Sequence, residues 1–170
     1  MQTKTSRLVL TAMLAALVCV ATLIVKIPTP FKGYVNLGDG LVLLCGWMLG
    51  PAYGFAAAAI GSGLADLFAG YAIYAPATFL IKGLMATACA LLFSLLRNRT
   101  HRLIARTVSG IAAEVVMVLG YFAFEGVLYG FGAAALNIFA NTVQGVVGLL
   151  LGVILVSALA ARHILPQHLR

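Results

Sequence analysis

Long apolar runs alternate along this chain with short polar or glycine- and proline-marked segments, and that alternation predicts helices that cross a membrane. The first run, about Arg7 to Lys26, meets Pro28 and Pro30, whose rings cannot continue a helix and which bias the residues before them toward extended structure. A polar loop, Ile27 to Asn36, leads to a short apolar segment from Leu37 to Leu49. Gly50-Pro51 then forms a helix-stop and helix-start pair that permits a tight hairpin. A third run, Ala52 to about Ala69, ends in a turn at Gly70 to Ala75, and Pro76 opens a fourth that reaches about Leu96. Arg97-Asn98-Arg99-Thr100-His101-Arg102 is too polar for hydrocarbon and makes a loop. A fifth span from about Arg106 to Phe124, a connection from Glu125 to Gly132 and a sixth span from Ala133 to Ala161 precede a polar tail, Arg162 to Arg170.

The predicted fold is all-α: one transmembrane domain over residues 1–170, a six-transmembrane-helix bundle with spans at about 7–26, 37–49, 52–69, 76–96, 106–124 and 133–161. The second span falls short of a full bilayer thickness. It is expected to tilt or to begin below the surface, with the preceding loop dipping inward.

Composition reinforces the pattern, since 63% hydrophobic residues, 9% charged residues and a mean hydropathy of +1.09 lie outside the balance of soluble domains. The apolar run after Lys4 and Arg7 exceeds the core of a signal peptide and reads as a retained first helix. The net charge of +7 does not describe a nucleic-acid face, because the cations punctuate apolar segments. Lys4, Arg7, Arg97, Arg99, Arg102, Arg106, Arg162 and Arg170 fall on one side of six crossings, Lys26 and Lys32 on the other, and Lys82 within a span. The cation-rich side is expected to be cytoplasmic, with both termini there, in the cytoplasmic membrane of a prokaryote.

Ionisable groups within a membrane are costly and mark candidate sites, and here they are Asp39, Asp66, Lys82 and Glu114. Asp66, near the end of the third span, and Lys82, near the start of the fourth, share a depth and are expected to pair, either as a structural ion pair or as ligand contacts. Glu114 sits deeper, and a neutral acid or a pair with Lys82 both remain open. Asn137, Asn141 and Gln144 place three amides on one face of the sixth span, as ligand contacts or as glue between helices. Asn36 and Asp39 lie at the same rim, although Asp39 is equally suited to cap the second helix. Tyr71 and Tyr74 suit the headgroup belt or stacking on a ring, and Tyr74 joins the candidate contacts.

Cys19, Cys45 and Cys89 each sit inside an apolar run without the spacing of a metal site or disulfide framework, so packing is their expected role. No metal, cofactor or catalytic residue is assigned: His-Glu-x-x-His is absent, and His101, His163 and His168 all lie outside the spans. Small residues form faces on the first span at Ala12, Ala15 and Ala16 and on the third at Gly54, Ala58, Gly61, Ser62 and Ala65, where helices can approach closely.

Val35-Asn36-Leu37-Gly38-Asp39-Gly40, Leu49-Gly50-Pro51, Gly61-Ser62-Gly63-Leu64-Ala65-Asp66-Leu67 and Ala75-Pro76-Ala77-Thr78-Phe79-Leu80-Ile81-Lys82-Gly83 together resemble the S components of energy-coupling factor (ECF) vitamin transporters, especially the hydroxymethylpyrimidine or pyridoxine group. The resemblance implies a ligand pocket near the outer surface, gated by loops that here correspond to Ile27 to Asn36, Gly70 to Ala75 and Glu125 to Gly132. It also implies docking of a membrane-embedded T component on Ala12 and Ala16, and two ABC ATPases on separate chains, in keeping with the lack of a Walker A loop here. Capture outside, toppling in the membrane and release inside on ATP use are the implied mechanism. A self-sufficient secondary carrier is the rival, since membrane carboxylates relay protons, but the internal repeats common in carriers are absent. Riboflavin and other small ring compounds remain alternative ligands.

Overall fold

The computed structural model describes residues 4–28 and 34–162. Five helices carry the fold: α1 Lys4–Ile24, α2 Asp39–Phe68, α3 Ala75–Leu96, α4 Arg102–Tyr129 and α5 Phe131–Ala161, all long and apolar enough to cross a membrane. An antiparallel two-stranded ribbon, β1 Lys26–Pro28 and β2 Tyr34–Asn36, joins α1 to α2 and pairs Ile27 with Val35. The expected polar loop is thus partly strand, and Pro30 and Lys32 lie outside the described residues. The proline-biased segment favours extended backbone, and pairing satisfies its peptide groups.

Where two separate helices were expected, α2 is one helical element broken at Gly50, whose φ of 78° and ψ of −176° belong to glycine. Pro51 opens the next turn, where its missing N–H costs nothing. The break reverses the chain direction, because a Cβ on Gly54 would lie 3.0 Å from the carbonyl oxygen of Cys45, nine residues away. In an unbroken helix that separation would be about 13 Å.

The first arm of α2, residues 39–49, is the buried centre of the bundle. Gly46 packs on Ala86 of α3, Gly40 faces Gly148 and Gly152 of α5, and the Trp47 indole donates to Ser109 Oγ of α4 at 2.9 Å. Its own Val42, Leu43 and Cys45 are fully buried, as are Met85, Cys89, Met117 and Val156 around it. This arm is about 16 Å long, roughly half a hydrocarbon core. It needs no more, because its first residue, Asp39, is buried below the ribbon. The second arm packs on α1 where Gly61 meets Ala15 and Val18, and its Gly54 packs back on Cys45 and Gly46 of the first arm; Ala58, Ser62 and Ala65 are buried with them.

The outer surface is apolar, with Leu8, Leu17, Ile60, Leu84, Val115 and Ile154 turned outward, as hydrocarbon favours. One end of the bundle gathers Arg7, whose guanidinium lies 5.4 Å above the Tyr53 ring, the Gly50 turn, and the Arg97 to Arg102 connection. The opposite end holds the ribbon, the turn at residues 69–74, and Gly130, the single residue between α4 and α5.

Candidate functional site

Three helices bring polar stripes to the ribbon end. On α3 and the turn before it, Tyr74, Thr78 and Lys82 succeed one another at four-residue intervals; α4 adds Tyr121 and Glu125 at the same interval, and α5 adds Asn137, Asn141 and Gln144. Such spacings put each set on one helix face. All of these but Asn137 line a cavity of about 30 Å³, together with Thr22, Asn36, Ser62, Asp66 and Tyr71.

The inner edge of the cavity is a connected network. Lys82 Nζ forms a buried ion pair with Asp39 Oδ1. The second carboxylate oxygen accepts from Gln144 Nε2 at 2.7 Å, and Gln144 Oε1 accepts the backbone N–H of Asn36 at 2.9 Å. Asn36 Oδ1 in turn accepts the N–H of Gly38 at 2.8 Å, a turn that carries the ribbon into α2. Both oxygens of Asp39 therefore have partners, which a fully buried carboxylate requires. Gly148 lets Asp39 approach α5, since a Cβ there would stand 2.5 Å from that of Asp39.

Nearer the end of the bundle, Glu125 accepts from Tyr74 Oη at 3.3 Å and from Asn137 Nδ2 at 3.0 Å, and is itself buried. Thr78 Oγ1 and Tyr121 Oη share a hydrogen bond of 3.0 Å. Burial and the nearby Glu125 carboxylate push the Tyr74 phenol up, so it remains an O–H donor.

Measured against the expectations, Asn36, Asp66, Tyr74, Lys82, Asn141 and Gln144 line the cavity, while Asp39 and Asn137 stand immediately behind it and orient Lys82, Gln144 and Glu125. The expected ion pair between Asp66 and Lys82 is replaced by one between Asp39 and Lys82, because the start of α2 lies buried in the bundle centre and within reach of α3. Asp39 is accordingly no helix cap; Gly38 precedes α2 and makes no side-chain cap bond. Glu125 to Gly132, expected as a connection, is helical to Tyr129, and the acid fits there because two neutral donors meet it. Glu114 is buried over Gly145 and Gly148 of α5, and Lys82 makes its ion pair elsewhere. Among the described residues no group of His, Cys, Asp and Glu is placed to hold a metal ion.

Glu125, Tyr121 and Thr78 escaped the sequence reading, although their four-residue spacing to Tyr121, Glu125 and Lys82 was available. Ala12 and Ala16 lie exposed on α1, beside a groove continued by Ala52, Ala56, Ile60 and Leu64 of α2.

A membrane bundle with polar side chains gathered around a cavity at one end has the architecture of a solute-binding membrane protein. The sequence model of the ECF-type riboflavin transporter, S component, matches residues 2–161, and the chain belongs to this family of substrate-binding subunits of ECF transporters. A Pyrococcus woesei protein, described as an uncharacterized protein in gap 3'region, is 38% identical over 136 residues, covering 79% of this chain and 88% of that protein. A solved structure reported under "Structure and mechanism of the S component of a bacterial ECF transporter" shares the fold with a TM-score of 0.68, over 94% of this chain and 98% of that one, at 20% identity.

Proposed function

We propose that this S component captures a small, polar, ring-containing vitamin or precursor outside the cell, pyridoxine or hydroxymethylpyrimidine by preference, and delivers it inside with a T component and two ABC ATPases. The observation that carries this reading is the cavity lining: every one of its twelve residues has a hydrogen-bonding side chain. Directional donors and acceptors on all sides suit a compact ring bearing hydroxyls and a ring nitrogen. At about 30 Å³ the cavity has room for little more than a water molecule, so a ligand must displace lining side chains, and a single ring displaces fewest.

Riboflavin is the second reading, favoured by the family's description. Its three fused rings call for a broad apolar slot, and apolar surface in this lining comes only from tyrosine rings and aliphatic stems. Titration of the purified protein in detergent with pyridoxine, hydroxymethylpyrimidine and riboflavin separates the two. Saturable binding of a single-ring compound with no response to riboflavin is expected; tight riboflavin binding alone would reverse the assignment.

On the same reading the ribbon and the first arm of α2 together make one crossing and the second arm another, so the chain crosses six times, and the cation-rich end with both termini is cytoplasmic. The groove beside Ala12 and Ala16 is the docking face for the T component, its small residues allowing close helix contact. Energy comes from the partner ATPases. Uptake into liposomes by this chain alone, without ATP, would instead favour a self-sufficient carrier.

A further inference from the structure

We infer that a second cavity, at the Gly50 end of the bundle, binds an anionic phospholipid, with the phosphate held between Arg7 and Arg97 and the glycerol end of the lipid seated on the apolar floor beneath them. The four acidic residues, Asp39, Asp66, Glu114 and Glu125, all stand at least about 15 Å along their helices from this end. That exceeds the screening length of about 8 Å at physiological salt. Lys4, Arg7, Arg97, Arg99 and Arg102 gather here with no acidic side chain among them, so an anion at this end meets attraction and no opposing carboxylate.

The cavity has a volume of about 120 Å³, against about 30 Å³ at the ribbon end, and it receives Arg7 from α1 and Arg97 from the residue that follows α3. Arg97 Nε is buried and has no hydrogen-bond partner among the described residues. The guanidinium therefore brings an unmet donor to the lining. Arg7 is steadied over the Tyr53 ring at 5.4 Å, a contact that uses none of its N–H donors. The other polar groups of the lining are occupied, since Ser94 donates its hydroxyl to the Leu91 carbonyl at 2.7 Å and Trp47 donates to Ser109. Two planar forks are left, the geometry that suits a phosphate.

The shape of the cavity separates a lipid from free phosphate. Along α3 the lining runs from Arg97 back to Ala90, about 10 Å, and along the first arm of α2 from Gly50 back to Gly46, about 6 Å. The deeper part is apolar, with Gly46, Met48, Ala90 and Phe93. Inorganic phosphate would use the rim alone, whereas a phospholipid uses both rim and floor. Leu8, next to Arg7, and Leu95, two residues before Arg97, face outward, so the rim lies where hydrocarbon gives way to headgroups. A basic pocket between helices at that level is suited to an anionic headgroup.

The single tryptophan of the chain, Trp47, lines this cavity and reports on its occupant. The full chain is reconstituted into phosphatidylcholine vesicles in which a rising fraction of the lipid, either phosphatidylglycerol or phosphatidylcholine, is brominated on its acyl chains to quench tryptophan fluorescence. In about 1 M salt, where exposed charges are screened within about 3 Å, brominated phosphatidylglycerol is expected to reach half-quenching at an about tenfold lower fraction than brominated phosphatidylcholine. Arg7→Gln and Arg97→Gln should each weaken that preference about fivefold, and Arg99→Gln, outside the cavity, by less than about twofold. Arg97→Lys, which keeps the charge and loses the fork, should fall between, and thermal unfolding of each variant in detergent confirms that it is folded. Equal quenching by the two lipids, or equal losses from Arg97→Gln and Arg99→Gln, would overturn the site. Reversal of the quenching by millimolar inorganic phosphate would overturn the lipid assignment in favour of phosphate taken from water.

Discussion

The two halves of the bundle solve opposite problems with the same helices. Toward the Gly50 turn, the first arm of α2 buries Leu43 among Met85, Met117 and Val156, and its Trp47 indole donates to Ser109. Toward the ribbon, the same arm begins with Asp39 inside a net of charge, amide and backbone bonds. The apolar half gains from close packing and loses little to desolvation. The polar half forgoes that gain, and its Lys82–Asp39 pair is weak evidence for stability because both charges leave water. One half holds the fold, and the other is held by it.

The comparison breaks most sharply at Lys82. Replacing it with Met should abolish ligand binding and also cost about 3–5 kcal/mol, because Asp39 is left buried without its cation. Adding Asp39→Asn should recover much of the loss in stability without restoring binding, as thermal unfolding and titration in detergent will show. Equal unfolding temperatures for Lys82→Met and the unmodified chain would mean the pair carries no structural role.

In the apolar half, Leu43→Ala should cost about 2–4 kcal/mol by leaving a void in the central packing, yet keep ligand affinity within about threefold. Gln144→Leu should act in the reverse proportion. It strips partners from Asp39 Oδ2 and the Asn36 N–H, so stability falls by about 1–3 kcal/mol while affinity falls about tenfold or more. Ala12→Trp and Ala16→Trp, on the exposed face of α1, should shift stability by no more than about 0.5 kcal/mol. They should spare binding and stop uptake by the assembled transporter; normal uptake by both would remove the docking face from α1.

Much of this contrast was legible in the chain. Run lengths and breakers located the helices, and Gly50-Pro51 located the reversal, because a positive φ and a missing N–H are properties of single residues. The amides of α5 were legible for the same reason: their spacing is local. Lys82's partner was not. Spacing places Asp66 and Lys82 at one depth, but depth is one coordinate, and the choice between Asp39 and Asp66 depends on which arm of α2 lies at the bundle centre. Glu125 was misread because a carboxylate following an apolar run resembles the start of a loop. The donors that make it tolerable in a helix come from Tyr74, 51 residues earlier, and Asn137, 12 later.

The junction of α4 and α5 carries a mechanical consequence. With only Gly130 between them, at φ 88° and ψ 146°, neither helix can slide along the other by more than a fraction of a turn without unravelling its end. The wall bearing Tyr121, Glu125, Asn141 and Gln144 must therefore travel as a unit. The opposite wall is joined differently: six residues, 69–74, link α2 to α3 and carry Tyr71 and Tyr74 to the cavity.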